Sequence, residues 1–235
     1  MRCVSQGLNP SYGLPGEEFV ATYEEDEERR ERAYRLVGQI IDGIVTQTCA
    51  RHYFAPTQEH QFTSKIADRI ESELNNLSVS GMLVSVHAQD FPDKGRGSWE
   101  KGSGADVYVS VVMNAPGRTI NKGMTIQSKW DDATDRAGLA EQVGKMKKRT
   151  KSSYVWVYGP SCIAVVPSGD VHGGRLDFSR AMTVGELITD ALRCREADPR
   201  LGRNLHLPIP QAFTAMMEQL TVPNGLSLTL TDRLA

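Results

Sequence analysis

Asp106, Gln127 and Lys129 are the residues whose types and spacing promise chemistry. Asp106 leads into Val107-Tyr108-Val109-Ser110-Val111-Val112-Met113, a β-branched and apolar run that predicts a strand. A carboxylate placed there is costly unless something meets it. The next predicted strand, Gly123 to Trp130, contains Gln127-Ser128-Lys129. Gln127 and Lys129 are two residues apart and share one face, while Ile126 and Ser128 point to the other. If the two strands pair as a hairpin, an acid, an amide and an amine meet at one sheet edge. A hard divalent cation takes oxygen ligands, and a neighbouring ammonium can orient a water or steady the charge that develops on a phosphate.

This arrangement resembles the PD-(D/E)xK nuclease superfamily, the restriction-endonuclease-like fold. In that family an Asp on one strand and a (D/E)xK tripeptide on the next bind Mg²⁺ and cut phosphodiesters. Asp106 matches the lone Asp, with Gly104-Ala105 where a proline is usual. Gln127-Ser128-Lys129 matches the tripeptide with Gln in place of the acid, a variant similar to Mrr-like restriction enzymes and anti-phage defence effectors. The resemblance covers roughly residues 63–166. It implies a Mg²⁺-dependent DNA endonuclease, with Mn²⁺ able to substitute, that hydrolyses double-stranded DNA to a 5′-phosphate and a 3′-hydroxyl. It also implies low sequence specificity and control by a partner protein or a homodimer.

The family often takes a further acid from the helix before the sheet. At about 100° per residue, Glu73 falls beside the Ile66/Ile70/Leu74/Leu77 stripe and Glu71 falls well away from it. The resemblance therefore implies Asp106, Gln127, Lys129 and Glu73 as catalytic residues, the first two and Glu73 as metal ligands. On the helix after the tripeptide, Gln142 and Lys145 are candidates for contacting the scissile phosphate. The basic run that includes Lys145, Lys147 and Lys148 either contacts DNA backbone or offsets the helix dipole. Arg96 and Lys101, in the glycine-rich stretch before Asp106, are further DNA-binding candidates.

The elements that must position these residues follow from periodicity. Residues 1–22 have no period and read as an irregular arm. The acidic run Glu24 to Glu28 leads into the helical stripe Ala33, Leu36, Val37, Ile40, Ile41, Ile44, Val45 and reads as a solvated helix start. Thr63 to Leu77 predicts a second helix, and Met82 to Ala88 a strand. Arg136 to Lys151 predicts the helix after the tripeptide, with Tyr154 to Tyr158 and Cys162 to Val166 as buried strands beyond it. Val184 to Cys194 reads as a helix, and the Pro-punctuated tail as one more around Phe213 to Leu220. The expectation is an α/β domain over 23–198 with a restriction-endonuclease-like mixed sheet flanked by helices, an extra N-terminal helix, and a C-terminal helical extension over 199–235 packing on it.

Composition narrows the classes. The 235 residues carry 27 Lys and Arg against 29 Asp and Glu, which excludes a globally basic DNA-coating protein but not a local basic groove. No apolar run approaches a membrane span, and the N-terminus lacks a signal-peptide core, so a cytoplasmic protein with no membrane partner is expected. Cys3, Cys49, Cys162 and Cys194 have no CxxC spacing and read as free buried thiols. His87 reads as a hydrogen-bonded core histidine, and there is no GxSxG, GxGxxG or zinc spacing. A competing reading is a non-catalytic nucleic-acid-binding or assembly subunit that keeps the fold. Gln127 favours it; Lys129, which binding alone does not require, opposes it.

Overall fold

The computed structural model describes residues 15–55, 58–91 and 100–232, with residues 15–24, 100 and 101 as backbone only. The chain is mixed α/β: a seven-stranded mixed sheet flanked by helices on both faces. In chain order the elements are α1 (Pro15–His52), α2 (Glu59–Leu74), β1 (Ser78–Val79), β2 (Met82–Asp90), the short α3 (Glu100–Ser103), β3 (Val107–Ala115), β4 (Arg118–Trp130), α4 (Arg136–Arg149), β5 (Ser153–Tyr158), β6 (Ile163–Pro167), the hairpin strands β7 (Val171–His172) and β8 (Arg175–Leu176), α5 (Val184–Leu192), α6 (Ile209–Leu220) and β9 (Asn224–Asp232).

Strand alternation divides the interior into two cores. On one face Val107, Val109 and Val111 of β3, Met124 and Ile126 of β4, and Tyr154, Trp156 and Tyr158 of β5 pack against α1, α2 and α5. On the other face Tyr108, Val155 and Val157 meet Leu139, Val143 and Met146 of α4 and Phe213 and Met217 of α6. β3 and β4 form an antiparallel hairpin in which Val107 opposes Ile126. α4 then crosses over so that β5 lies parallel to β4.

The C-terminal segment departs from the sequence expectation. Residues 199–235 supply not only α6 but also β9, which lies inside the sheet between β2 and β3, antiparallel to the first and parallel to the second. Leu226, Leu228 and Leu230 enter the first core from it. A helical extension packed on a finished domain does not describe this: the sheet is continuous only through β9.

The N-terminal expectation also shifts, since α1 already runs from Pro15. Its acidic run is not merely solvated. Glu27 accepts from Arg118 at 3.0 Å, Glu31 from Arg193, and the basic residue Arg29 forks onto Asp232 at 3.0 and 2.7 Å. Among the described cysteines, all free, only Cys49 is buried, and burial pushes its thiol up to about 12. Among the described residues no helix is long and apolar enough to cross a membrane.

Candidate functional site

The β3–β4 hairpin brings the sequence-predicted trio together. Asp106 sits one residue before β3, and its N–H donates to the Ile126 carbonyl at 2.8 Å, which sets it opposite Gln127. Asp106 is 3% exposed. Its Oδ2 accepts from Gln127 Nε2 at 2.6 Å, from the Ser128 N–H at 2.8 Å and from the Ser128 hydroxyl at 2.5 Å. Hydrogen bonds of this kind favour the charged form of a carboxylate. The Asp106 carbonyl in turn accepts from Asn224 N at 3.1 Å and Asn224 Nδ2 at 3.2 Å. The first residue of β9 therefore fixes the backbone on which the acid hangs.

Lys129 lies at the carboxyl end of β4, where β4 and β5 run parallel, and its side chain is 16% exposed. Clefts outside the carboxyl ends of parallel strands are common ligand sites. Its Nζ is 3.4 Å from Oε2 of Glu59, the first residue of α2. Glu59 Oε1 accepts from the Trp130 N–H at 3.1 Å, so the acid is anchored to the strand it serves. Tyr158, fully buried behind the strand end, shares a 2.5 Å hydrogen bond with Thr63 Oγ1 of α2. Burial holds its phenol well above the ordinary value, so it stays neutral.

Two amide oxygens nearby are buried with no hydrogen-bond partner among the described residues, Gln127 Oε1 and Gln142 Oε1. Gln142 stands close to the Asp106 loop. Gly104, two residues before Asp106, has φ +72°, and a Cβ there would lie 2.3 Å from the Gln142 carbonyl oxygen. Only glycine permits that approach and that backbone angle.

The other predicted residues are not gathered here. Glu73 pairs with Arg69 one turn away, and Arg69 also donates to Thr48 and Gln47 of α1. It therefore belongs to the α1–α2 contact, and the structure places Glu59, not Glu73, beside Lys129. Lys145 pairs with Glu141 at 2.7 Å. Lys147 and Lys148 lie exposed in the last turn of α4, some 16 Å or more along the helix from Arg136 at 1.5 Å per residue. The side chains of Arg96 and Lys101 lie outside the described residues. The expected hydrogen-bonded core histidine is not what β2 holds: His87 is half-buried at the rim, with Nδ1 3.7 Å from Glu71, its ring against Phe213 and Nε2 without a hydrogen-bond partner among the described residues.

Three participants were missed from the sequence. Glu59 lies upstream of the predicted helix start, Ser128 is the unspecified middle of the tripeptide, and Asn224 sits in Pro223-Asn224-Gly225, which reads as a turn. Comparison with family models, curated proteins and solved structures finds no match for this chain.

A divalent cation can be tested against the side chains present. Among the described residues no three His, Cys, Asp or Glu side chains converge on a metal position. Mg²⁺ needs fewer protein ligands than that, since it keeps several waters and is commonly held by one or two carboxylates. Asp106 and the unpartnered Gln127 Oε1 fit such a sparse set.

Proposed function

We propose that the chain is a metal-dependent endonuclease of the restriction-endonuclease-like class, hydrolysing DNA phosphodiesters at the Asp106–Gln127–Lys129 edge. One observation carries the reading: a buried carboxylate, an amide with an unpartnered oxygen and an ammonium meet on a hairpin whose second strand continues through a helix into a parallel neighbour. That β–β–α–β order is the setting in which the PD-(D/E)xK pattern has meaning. Bacterial anti-phage defence, under control of a partner or of dimerisation, is the setting that the likeness to QxK effectors suggests.

A cation bound at Asp106 and Gln127 would polarise the scissile phosphate and lower the pKa of the attacking water. The chain's own residues supply the rest. Ser128 and Asn224 fix the Asp106 carboxylate and backbone. Lys129 presents an ammonium to the charge that develops on phosphate, and Glu59 holds it there. Glu59 replaces Glu73 as the acid contributed by α2.

A specific observation favours the binding-only reading: Asp106 Oδ2 already accepts three neutral donors, which suits a carboxylate that braces a strand end. Incubation of plasmid and of single-stranded circular DNA with Mg²⁺, Mn²⁺ and EDTA separates the two, nicking of either counting, with Asp106→Asn as the variant that keeps the volume. Nicking by the wild type that needs metal and disappears in Asp106→Asn supports the nuclease. No nicking by the wild type, or equal nicking by the variant, removes it.

A further inference from the structure

We infer that the cleft beside Lys129 takes an unpaired polynucleotide strand, with bases stacked on Phe54 and Phe178 and phosphates held by Arg136 and Arg175. The inference deepens the proposed function and rests on it for the identity of the site, naming single-stranded or locally opened nucleic acid as the substrate.

Among the described residues the two most exposed large apolar side chains are both aromatic, Phe54 at 84% and Phe178 at 50%. Phe178 lines the cavity beside Lys129, and Phe54 is joined to that cavity's Trp130 by two ring contacts through Tyr53. Phe54 stacks edge-on against Tyr53 at 4.9 Å, and Tyr53 against Trp130 at 5.5 Å, next to Lys129 in the chain. Phe178 lines a cavity of about 450 Å³ that also contains Lys129, Trp130, Arg136 and Arg175. Exposing two phenyl rings to water has a cost, and it is recovered if a ligand with flat apolar faces covers them.

The charge around the cavity fits a polyanion. Arg136 and Arg175 have no ion pair or side-chain hydrogen bond among the described residues, whereas Arg180, near Arg175 in the chain, pairs with Asp170. Two acids share the lining and keep their charge, so its three cations, Lys129, Arg136 and Arg175, exceed them by one. Asp131 accepts the Tyr53 hydroxyl, and Asp135 caps α4 by accepting from Gly138 N at 2.8 Å.

The wall that carries Arg175 and Phe178 is fixed. Gly174 in the β7–β8 turn has φ +75°, and a Cβ there would sit 1.9 Å from the Arg136 carbonyl oxygen. The hairpin therefore lies directly on the start of α4. Aromatic platforms beside unpaired cations are how single strands are bound without sequence preference, because every base has a π-face and a flexible single strand can unstack to present it. In a duplex those faces are stacked on each other and out of reach of Phe54 and Phe178.

Fluorescence anisotropy in EDTA tests this without cleavage, using labelled oligo(dT), oligo(U) and a blunt duplex of equal length. Tighter binding of a single strand than of the duplex is expected, and the tighter of the two strands identifies the sugar. Phe54→Ala and Phe178→Ala should each weaken single-strand binding about fivefold or more, the usual loss for one stacked base. The Arg136→Ala/Arg175→Ala double variant should flatten the salt slope by about 1.4, two phosphates at about 0.7 each for a single strand. Both rings are exposed, so circular dichroism should report unchanged folding. Duplex binding equal to or tighter than that of both strands, or unaltered affinity in both Phe variants, overturns the inference. The nuclease reading fails separately: a wild type that cuts neither plasmid nor single-stranded circular DNA with Mg²⁺ or Mn²⁺ but still prefers single strands in EDTA keeps this inference and loses that one.

Discussion

At one end of β9 Asn224 holds the backbone of Asp106, and at the other end Asp232 takes the Arg29 guanidinium as a fork. The two ends treat charge differently. Around Asp232, ions meet ions: Arg29 also reaches Asp26, Arg30 lies 3.9 Å from Asp232, Arg118 meets Glu27 and Arg193 meets Glu31. The hydrogen bonds that Arg29 donates to Asp232, then to Asp26, hold its guanidinium still more firmly in its charged form. Those pairs tie α1 to β9, to β4 and to the loop after α5, so their charge is consumed by the fold. Around Asp106 the donors on Oδ2 are neutral, the one cation in contact with Glu59 sits at 3.4 Å, and amide oxygens are left over. The amide oxygens left over at the Asp106 end are acceptors, as the proposed site would need for a ligand, whereas at the Asp232 end the buried Arg30 Nε, without a hydrogen bond, is a donor.

The largest expected effect falls at the structural end. Asp232→Ala leaves Arg29 and the nearly buried Arg30 with only the half-exposed Asp26 and Glu27 as partners, and removing the buried member of such a group costs about 3 kcal/mol or more. Urea denaturation should show that loss while metal-dependent activity per folded molecule is kept. Unchanged stability, or activity lost in the folded fraction, would erase the distinction between the two ends.

Lys129→Ala should lower single-turnover cleavage by about 10²-fold, near 2.7 kcal/mol, with DNA affinity little changed. Lys129→Arg should not restore it, because a planar guanidinium cannot occupy the same point against Glu59. If Lys129 only touches phosphate, arginine substitutes well, the salt slope drops in the alanine variant, and turnover at saturating DNA survives.

Glu59 and Glu73 then divide α2 itself. Glu59→Gln weakens the hold on Lys129 and should lower kcat about tenfold with KM unchanged, since the bound substrate is untouched and only positioning is lost. Glu73→Gln should leave both constants alone and change stability by no more than about 0.5 kcal/mol, as exposed i,i+4 pairs usually do. The reverse result would return the third acid to Glu73.

This pair of glutamates also shows where sequence reading reaches its limit. The hairpin was legible, because β-branched alternation around Asp106 and Gln127-Ser128-Lys129 fixes which side chains share a face. Glu73 looked inward because helical angle measures direction only. It does not register Arg69, four residues earlier, which captures the carboxylate at the surface. The stripe used to set the angle also included Leu77, which lies beyond the end of α2. Glu59 was out of reach because α2 begins four residues before Thr63, and its role depends on a strand seventy residues away. β9 did carry a local signal, Leu226, Leu228 and Leu230 at period two. Its place between β2 and β3 is a long-range pairing that no local pattern encodes.

The effect at Gln127 is the one whose sign depends on metal. Without a cation, Gln127→Glu replaces a donor 2.6 Å from Asp106 Oδ2 with a second negative oxygen. Losing that hydrogen bond and adding like charge should cost about 1 kcal/mol, a fall of about 2–4 °C in Tm for a chain of this size. With Mn²⁺ present the balance reverses, since two adjacent carboxylates hold a divalent ion better than a carboxylate and an amide. Mn²⁺ should therefore raise Tm more in Gln127→Glu than in the wild type, and calorimetry should show tighter binding. A variant that is destabilised but gains nothing from Mn²⁺ would mean Gln127 only braces Asp106. The Asp106 end of β9 would then be structural, like the Asp232 end, with hydrogen bonds in place of ion pairs.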